Sequence, residues 1–311
     1  MFHAIQAWLA RLLQPVKVWL FRAFYRFSNA RAGRTHASGG PTTNLQIPVP
    51  GTSIKARLYS NALGANKPLI VFFHGGGWVI GDLETHDPFC QALCAATGCS
   101  VIAVDYRLAP EHTFPAALDD CLAAIGWAAD HVTELGANNS RLLLAGDSAG
   151  GNLATCACLE VDPACREKIV GQVLIYPATD HYSAGFASYV EKATGQTLTT
   201  AIIRWFWDSY LGDLPAQAPA AQRAFPMRST KTASLPPTLL VTAENDPLRD
   251  EGKAYAIKLQ EQGVAVSYHH FANAEHGFAC SEGPHADFHG FIQQLNAWLA
   301  GLEYHIEESQ T

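Results

Sequence analysis

Ser148 is the residue of this sequence that is best placed to act as a nucleophile. It stands within Gly146-Asp147-Ser148-Ala149-Gly150-Gly151, after an apolar run that predicts a buried strand and before a segment that predicts a buried helix. Gly-x-Ser-x-Gly in that context is typical of a sharp elbow that exposes the serine hydroxyl. The helix would direct its free N–H groups and positive dipole end at the serine, where acyl transfer builds up negative charge. The structural alternative is a glycine-rich turn whose serine only caps the helix.

Two later loops contain the base and the acid that such a serine needs. His276 follows the last predicted strand and stands beside a glycine, which suits a mobile base. Asp246 follows the strand predicted at 238–242, and a carboxylate there can orient a histidine and stabilise its cation. The order serine, aspartate, histidine is that of α/β-hydrolases, not of the chymotrypsin or subtilisin types. Three nearby acids are rivals for the role of Asp246: Glu244, Asp250 and Glu251.

A glycine-rich stretch, His74-Gly75-Gly76-Gly77-Trp78, directly follows the strand predicted at 69–73. Three glycines let the backbone approach a ligand with its N–H groups turned inward. Together with the N–H of Ala149, these groups could stabilise a carbonyl oxygen as it becomes an oxyanion. The alternative is a flexible loop, and a phosphate loop is disfavoured because no Gly-Lys-Ser/Thr follows. His285 and His289 have the spacing of metal ligands, but Ala286 stands where a zinc protease needs glutamate, so we expect no metal site.

The composition indicates a globular protein and excludes several classes. A chain of 311 residues that is 48% apolar and 16% charged has ample core. A net charge of −7 argues against general nucleic-acid binding. No run of eighteen uncharged apolar residues predicts a membrane span, and the start of the chain does not resemble a secretory signal. The eight cysteines lack the spacing of a disulfide scaffold or a zinc site. We therefore expect buried free thiols and a cytoplasmic location.

Residues 1–28 predict an amphipathic helix with one apolar face. From Met1 to Gly81 the sequence has nine Lys and Arg and no Asp or Glu, whereas the remainder is acidic. We favour docking of the apolar face on the protein body, because a helix with one apolar stripe usually buries it within the protein. The alternative is peripheral contact with a membrane, anchored by Trp8 and Trp19. The face comprises Phe2, Ile5, Leu9, Leu12, Leu13, Val16, Leu20, Phe24 and Phe27.

Strands and helices alternate through most of the chain, which implies a mostly parallel sheet covered on both faces. Residues 179–227 break this alternation with a polar stretch, an aromatic helix at Thr199–Leu211 and a Pro/Ala/Gln loop. An aromatic-rich insertion between two sheet strands is a candidate lid. The strands are predicted at 45–49, 54–59, 69–73, 101–104, 142–145, 173–176, 238–242 and 264–271.

From about residue 40 to 300 the sequence resembles the hormone-sensitive-lipase-like esterases, which include bacterial family IV carboxylesterases and arylacetamide deacetylase-like enzymes. The resemblance implies an α/β-hydrolase fold with a mostly parallel eight-stranded sheet and a helical cap. It implies a triad of Ser148, Asp246 and His276. The oxyanion hole that it implies comprises Gly75, Gly76 and Ala149. The motifs that carry it are His74–Trp78, Asp105–Glu111, Gly146–Gly151, Asp246–Glu251 and His276–Phe278.

The same resemblance implies a division of the chain into a cap and a catalytic domain. The cap would consist of helices in residues 1–44 and the insertion 179–227, and the catalytic domain of 45–178 and 228–311. Four aromatic residues are expected to line the substrate pocket, and we expect at least one of the two cap tryptophans, Trp205 and Trp207, to be among the lining residues. The alternative is that the aromatic residues form the core of the cap. They are Trp78, Trp205, Trp207 and Tyr210.

The predicted function is that of a serine carboxylesterase acting on short- to medium-chain esters through an acyl-enzyme, with no metal or organic cofactor. An amidase or deacetylase on the same triad stays open. A small-molecule receptor of the same fold, like the plant gibberellin receptors, is disfavoured because the triad histidine lost there is present here as His276. The sequence leaves open a homodimer.

Overall fold

An eight-stranded sheet forms the centre of the protein. The computed structural model describes residues 15–27, 40–61, 67–137, 141–194, 197–280 and 286–308. The strand order is β1-β2-β4-β3-β5-β6-β7-β8, with β2 antiparallel to both of its neighbours and every other pair parallel. The strands are β1 Thr42–Val49, β2 Thr52–Tyr59, β3 Leu69–Phe73, β4 Val101–Asp105, β5 Leu142–Asp147, β6 Ile169–Ile175, β7 Thr238–Asn245 and β8 Val266–Glu275.

The burial of the strands explains their sequence patterns. Every residue of β3 and β5 is buried, because helices cover both faces of the parallel part of the sheet. Edge strand β1 instead alternates exposed and buried positions in its second half. Successive residues of one strand therefore enter different cores. Phe73 and Leu144 belong to one apolar cluster, and Phe72 and Leu143 belong to the cluster on the opposite face.

Helices pack on both faces of the sheet and over its carboxyl edge. The side of Phe73 is covered by α3, α4 and α8, and the side of Phe72 by α2 and α9. Within the described ranges, no helix is both long and apolar enough to span a bilayer. The helices are α1 at 15–27, α2 Asp87–Thr97, α3 Ala116–His131, α4 Ala149–Glu160, α5 Pro163–Arg166, α6 Ser188–Glu191, α7 Thr200–Leu211, α8 Arg249–Glu261 and α9 Ala286–Glu308.

Two segments cover the carboxyl edge of the sheet. The first is α1, and the second is the stretch between β6 and β7, which contains α6, α7 and several short 3-10 turns. They meet where the ring of Phe21 packs edge-on against Trp205 and Phe206, at centroid distances of 5.5 and 6.4 Å. Helix α7 starts at an N-cap, Thr199, whose side chain accepts the N–H of Ile202.

Helix α1 docks through the face opposite to the one predicted. Val18 is 1% exposed, and Phe21 and Tyr25 pack against the same core. Arg22 fixes this orientation by donating to the carbonyl oxygens of Val79 and Ala109. The expected docking of the apolar stripe is therefore wrong for the described residues, and its members before residue 15 lie outside them. The described stripe residues are 55–69% exposed: Val16, Leu20, Phe24 and Phe27.

Candidate active site

The nucleophile elbow joins β5 to α4 at Ser148. The serine backbone has φ 55° and ψ −118°, a strained conformation that costs on the order of 1–3 kcal/mol and is typical of functional sites. Its N–H donates to the carbonyl of Ile175 at 2.8 Å, which ties the elbow to β6. Gly150 lies so close to β3 that a Cβ there would stand 1.9 Å from the Phe73 carbonyl oxygen. The tight passage of helix past strand thus holds the hydroxyl at the carboxyl edge of the sheet.

His276 bridges Ser148 and Asp246 by two hydrogen bonds. Its Nε2 lies 2.9 Å from Ser148 Oγ, and its Nδ1 lies 2.7 Å from Asp246 Oδ2. The other oxygen of Asp246 accepts the N–H of Leu248 at 2.8 Å. Because the carboxylate can only accept, Nδ1 carries the proton and Nε2 is the acceptor for the serine hydroxyl. The structure thus brings the three predicted residues into a serine–base–acid chain.

Strand pairing at the end of the sheet brings the acid and the base together. Asn245 of β7 pairs with Glu275 of β8 after a bulge in the register. The next residue of each strand is Asp246 or His276, so the backbone places them side by side. The ring of Tyr176 packs 4.7 Å from that of His276 and limits its rotation. The sequence prediction missed Tyr176, which follows β6 at the same edge of the sheet.

The three rival acids have other partners. Glu244 forms ion pairs with Lys192 and Arg249 on the surface. Asp250 accepts the N–H of Ser188 at 2.9 Å. Glu251 is fully buried and accepts the N–H of Thr179 and the hydroxyl of Tyr189, both at 2.6 Å. All three join the insertion between β6 and β7 to the strand end, whereas the hydrogen bonds of the His276 ring in the described residues go to Asp246 and Ser148. The three acids therefore anchor the cap insertion to the catalytic domain.

The oxyanion loop after β3 is anchored at Gly75. The N–H of Gly75 donates to Asp147 Oδ1 at 2.7 Å, and its carbonyl accepts from His74 Nδ1 at 2.7 Å. Gly75 is thus not available as an oxyanion donor, which corrects the prediction. Within the described ranges, no protein acceptor takes the N–H of Gly76, Gly77 or Ala149. The sequence could not show which of the three glycines donate to the oxyanion, because all three permit an N–H that points inward.

The contacts of Asp147 explain why an acid precedes the nucleophile. Its side chain is buried, and burial alone raises the pKa of this carboxyl. Nearby His86 and the Gly75 N–H outweigh burial, so that the pKa of Asp147 lies below its usual value. The Nε2 of His86 is 3.4 Å from Oδ1, a close polar approach rather than a well-aligned hydrogen bond. A buried carboxylate therefore holds the loop from the residue next to Ser148.

Comparison with known proteins agrees with this geometry. The model of a family described as "alpha/beta hydrolase fold" matches residues 70–280. The chain belongs to the alpha/beta hydrolase fold family. Among its relatives, the carboxylic ester hydrolase LipN of Mycobacterium tuberculosis is 43% identical over 241 residues, which cover 76% of this chain and 64% of LipN. The carboxylesterase NlhH of the same organism is 36% identical over 229 residues, covering 73% of this chain and 72% of NlhH. The match therefore spans slightly less than two thirds of the first relative.

Solved esterase structures share the fold over nearly the whole chain. An esterase of the archaeon Pyrobaculum calidifontis superposes with a TM-score of 0.85 at 34% identity, covering 95% of this chain and 97% of its own. The carboxylesterase EstE1, cloned from a metagenomic library, gives 0.82 at 37% identity and covers 92% and 96%. These likenesses confirm the predicted fold and the predicted membership of the hormone-sensitive-lipase-like esterases.

In this member of the alpha/beta hydrolase fold family, a narrow cleft of about 20 Å³ lies above Ser148. Trp78 and Trp207 belong to its lining. Tyr210 does not, because it is stacked beneath Trp78 at 4.4 Å. Trp205 also lies outside the lining, facing Phe21 and the ammonium group of Lys17. The remaining lining residues are Gly77, Ala149, Ala178, Leu198, Ile203, Phe206 and Leu248.

One group of potential metal ligands lies behind the oxyanion loop. The ligand atoms of His86, Asp147 and Cys280 lie within 4.8 Å of one another. Two observations oppose metal binding there. Asp147 already accepts the N–H of Gly75, and burial raises the pKa of the Cys280 thiol well above its usual value. His285, half of the pair considered from the sequence, lies outside the described residues.

Proposed function

We propose that this protein is a serine carboxylesterase that hydrolyses esters through an acyl-enzyme. The observation that carries the proposal is the hydrogen-bonded chain from Asp246 through His276 to Ser148. Beside it lie the backbone N–H groups of Gly76, Gly77 and Ala149, for which the described residues provide no acceptor. A nucleophile with a base in hydrogen-bond contact, an oriented base and nearby N–H donors are the parts that acyl transfer requires.

The reaction follows from these contacts. Ser148 Oγ attacks the ester carbonyl while His276 Nε2 accepts its proton, and Asp246 stabilises the resulting imidazolium. The amides of Gly76, Gly77 and Ala149 stabilise the oxyanion, and each such donor is typically worth ~3–4 kcal/mol of the barrier. His276 then protonates the leaving alkoxide. In deacylation His276 activates a water molecule, which releases the acid and restores Ser148.

The cleft favours short acyl chains. Its volume of about 20 Å³ is far below the roughly 300–1,000 Å³ that is usual for sites of drug-sized ligands. Trp207 and Phe206 are buried and close it on the cap side. We therefore place the preferred substrates among short- to medium-chain esters, with the bulk of the acyl group limited by these two rings.

A panel of 4-nitrophenyl esters from acetyl to dodecanoyl tests the proposal. The wild-type kcat/KM should be highest for the shorter acyl groups, and Ser148→Ala should lower it by at least ~10⁴-fold. Ser53→Ala removes an exposed hydroxyl remote from the site and should leave the rate unchanged. No turnover of any ester, or equal turnover by Ser148→Ala, would contradict the proposal. Matched anilides in the same panel distinguish an esterase from an amidase.

We also propose a cytoplasmic location. All eight cysteines are free thiols, and seven of them are buried. Such thiols persist in a reducing compartment, whereas oxidising compartments favour disulfides. Cell fractionation with a cytoplasmic and a periplasmic marker enzyme tests this, and recovery of the protein with the periplasmic marker would contradict it.

A further inference from the structure

Helix α1 presents an apolar face on the side away from the protein. We define its outer face as Val16, Trp19, Leu20 and Phe24, whose side chains are 55–69% exposed. These are four of the seven large hydrophobic residues that are exposed in the described part of the chain. Exposed apolar side chains scattered singly are ordinary, but a contiguous group marks an interaction site. We propose that the outer face binds an anionic phospholipid surface.

The docked face of α1 fixes which side points outward. The guanidinium of Arg22 donates to the carbonyls of Val79 and Ala109 at 2.8 and 3.0 Å, and to both carboxylate oxygens of Glu111 at 2.9 Å. Val18, on the same side, is 1% exposed. Rotating α1 to bury the outer face would break these contacts and leave an arginine without partners. The contacts of the docked face therefore keep the outer face exposed to solvent.

The pattern of α1 is that of a helix lying in a membrane interface. Such helices combine Trp, Phe and Leu on one face with Lys and Arg around it. Trp19 stands at one edge of the outer face, and Lys17 stands at the other edge with its ammonium group over the Trp205 ring at 4.7 Å. In the sequence, the same spacing of apolar residues continues backwards from Val16 to Phe2.

Charge distinguishes a lipid surface from a second copy of the chain. Residues 1–34 contain six Lys and Arg and no Asp or Glu. Arg22 and Arg26 are neutralised by Glu111 and Asp82 of the body, which leaves a positive surplus in this segment. A two-fold dimer through the outer face would bring two such segments together, and like charges would oppose it. An anionic lipid surface is instead attracted by the same charges.

The outer face lies close to the catalytic cleft. Phe21, on the docked side of α1, packs against Phe206. The Phe206 ring in turn lines the cleft and lies directly against Gly77 of the oxyanion loop. Helix α1 and the Phe21–Phe206 contact therefore separate the bound lipid surface from the cleft. Resting on the proposed function, this position assigns esters that partition into lipid as a substrate class of the enzyme.

Vesicle sedimentation of the full chain tests the proposal. Wild-type protein should bind vesicles of phosphatidylglycerol and phosphatidylcholine, should bind phosphatidylcholine alone much more weakly, and should be released by 0.5 M NaCl, which screens the charges. Leu20→Ser/Phe24→Ser should reduce the bound-to-free ratio at least tenfold. Ile257→Ser is the matched control, because Ile257 is an exposed residue of α8, and it should bind like wild type. Leu20→Ser/Phe24→Ser and Ile257→Ser should both hydrolyse soluble 4-nitrophenyl acetate at the wild-type rate, which shows that they are folded.

The Ser148→Ala variant separates the two proposals, because it should bind vesicles like wild type even though it lacks activity. Absence of vesicle binding by active wild-type protein would overturn the lipid proposal alone. Equal binding by Leu20→Ser/Phe24→Ser would also overturn it. A wild-type dimer in light scattering that this double variant converts to a monomer would overturn it too, and would assign the outer face to a second copy.

Discussion

Asp147 should control the catalytic rate without contacting the substrate. Its Oδ1 accepts the N–H of Gly75 at 2.7 Å, one residue before the proposed oxyanion donors Gly76 and Gly77. Asp147→Ala removes this acceptor and leaves the N–H of Gly75 buried and unsatisfied. The loop can satisfy that N–H again only by moving, and a movement displaces the two donors that follow.

The size of the effect follows from the bonds involved. A hydrogen bond to a charged acceptor is worth about 1.5–3 kcal/mol, and loss of one oxyanion donor lowers kcat by about 10²–10³-fold. We expect Asp147→Ala to lower kcat about 10²-fold with little change in KM, because the interaction is made in the transition state. Asp147→Asn keeps an oxygen acceptor without charge. Since a neutral bond is roughly half as strong as a charge-assisted one, its loss should be near tenfold.

The assay is kcat and KM on 4-nitrophenyl acetate, together with the melting temperature of each variant. Asp120→Asn is the control, because Asp120 is also buried and its hydrogen bonds in the described residues go to Arg107 rather than to the oxyanion loop. It should lower the melting temperature and leave kcat unchanged. A folded Asp147→Ala variant that keeps kcat within threefold of wild type, or that only raises KM, would refute this role of Asp147.

Two further predictions concern the loop and the cap. Gly77→Ala should nearly abolish activity, because Gly77 has φ +58° and a Cβ there would stand 2.0 Å from the Phe206 ring. The double variant Gly77→Ala/Phe206→Ala should recover part of the lost kcat. A double variant that recovers no activity would contradict the proposed clash. Burial raises the pKa of Glu251 from 4.5 to about 8, so the folded state keeps a proton that the unfolded state loses. Stability should therefore fall as pH rises from about 4.5 to about 8. Thermal melts from pH 5 to 9 should show a flatter profile for Glu251→Gln, and parallel profiles would contradict the assignment.

The central strands were predictable because burial on both faces imposes an unbroken apolar run. The strand predicted at 69–73 has the same bounds as β3. At the other end of the sheet, β7 and β8 extend further than predicted, through Asn245 and Glu275. Polar residues at a strand end resemble a loop in sequence, since only the pairing partner reveals the strand. That pairing is what sets Asp246 beside His276.

The glycine-rich composition of the oxyanion loop was predictable, but the glycines whose N–H groups act as donors were not. Three consecutive glycines all permit the close approach that the loop makes. The choice among them depends on Asp147 and His74, which hold the N–H and the carbonyl of Gly75 from opposite sides. The first of these bonds joins residues 72 positions apart in sequence. No local pattern records such a contact, so the donors shift by one residue from those expected.

Periodicity identified the apolar stripe of α1 but not its partner, because a stripe specifies only that something apolar covers it. The opposite face has its own means of docking, in which Val18 and Phe21 supply apolar contact and Arg22 meets fixed acceptors on the body. Once that face is docked, the stripe must point away from the protein. A helix with two such faces can bind the catalytic domain through its docked face and another surface through its outer face. Exposure of the stripe is then what a membrane-contacting helix requires.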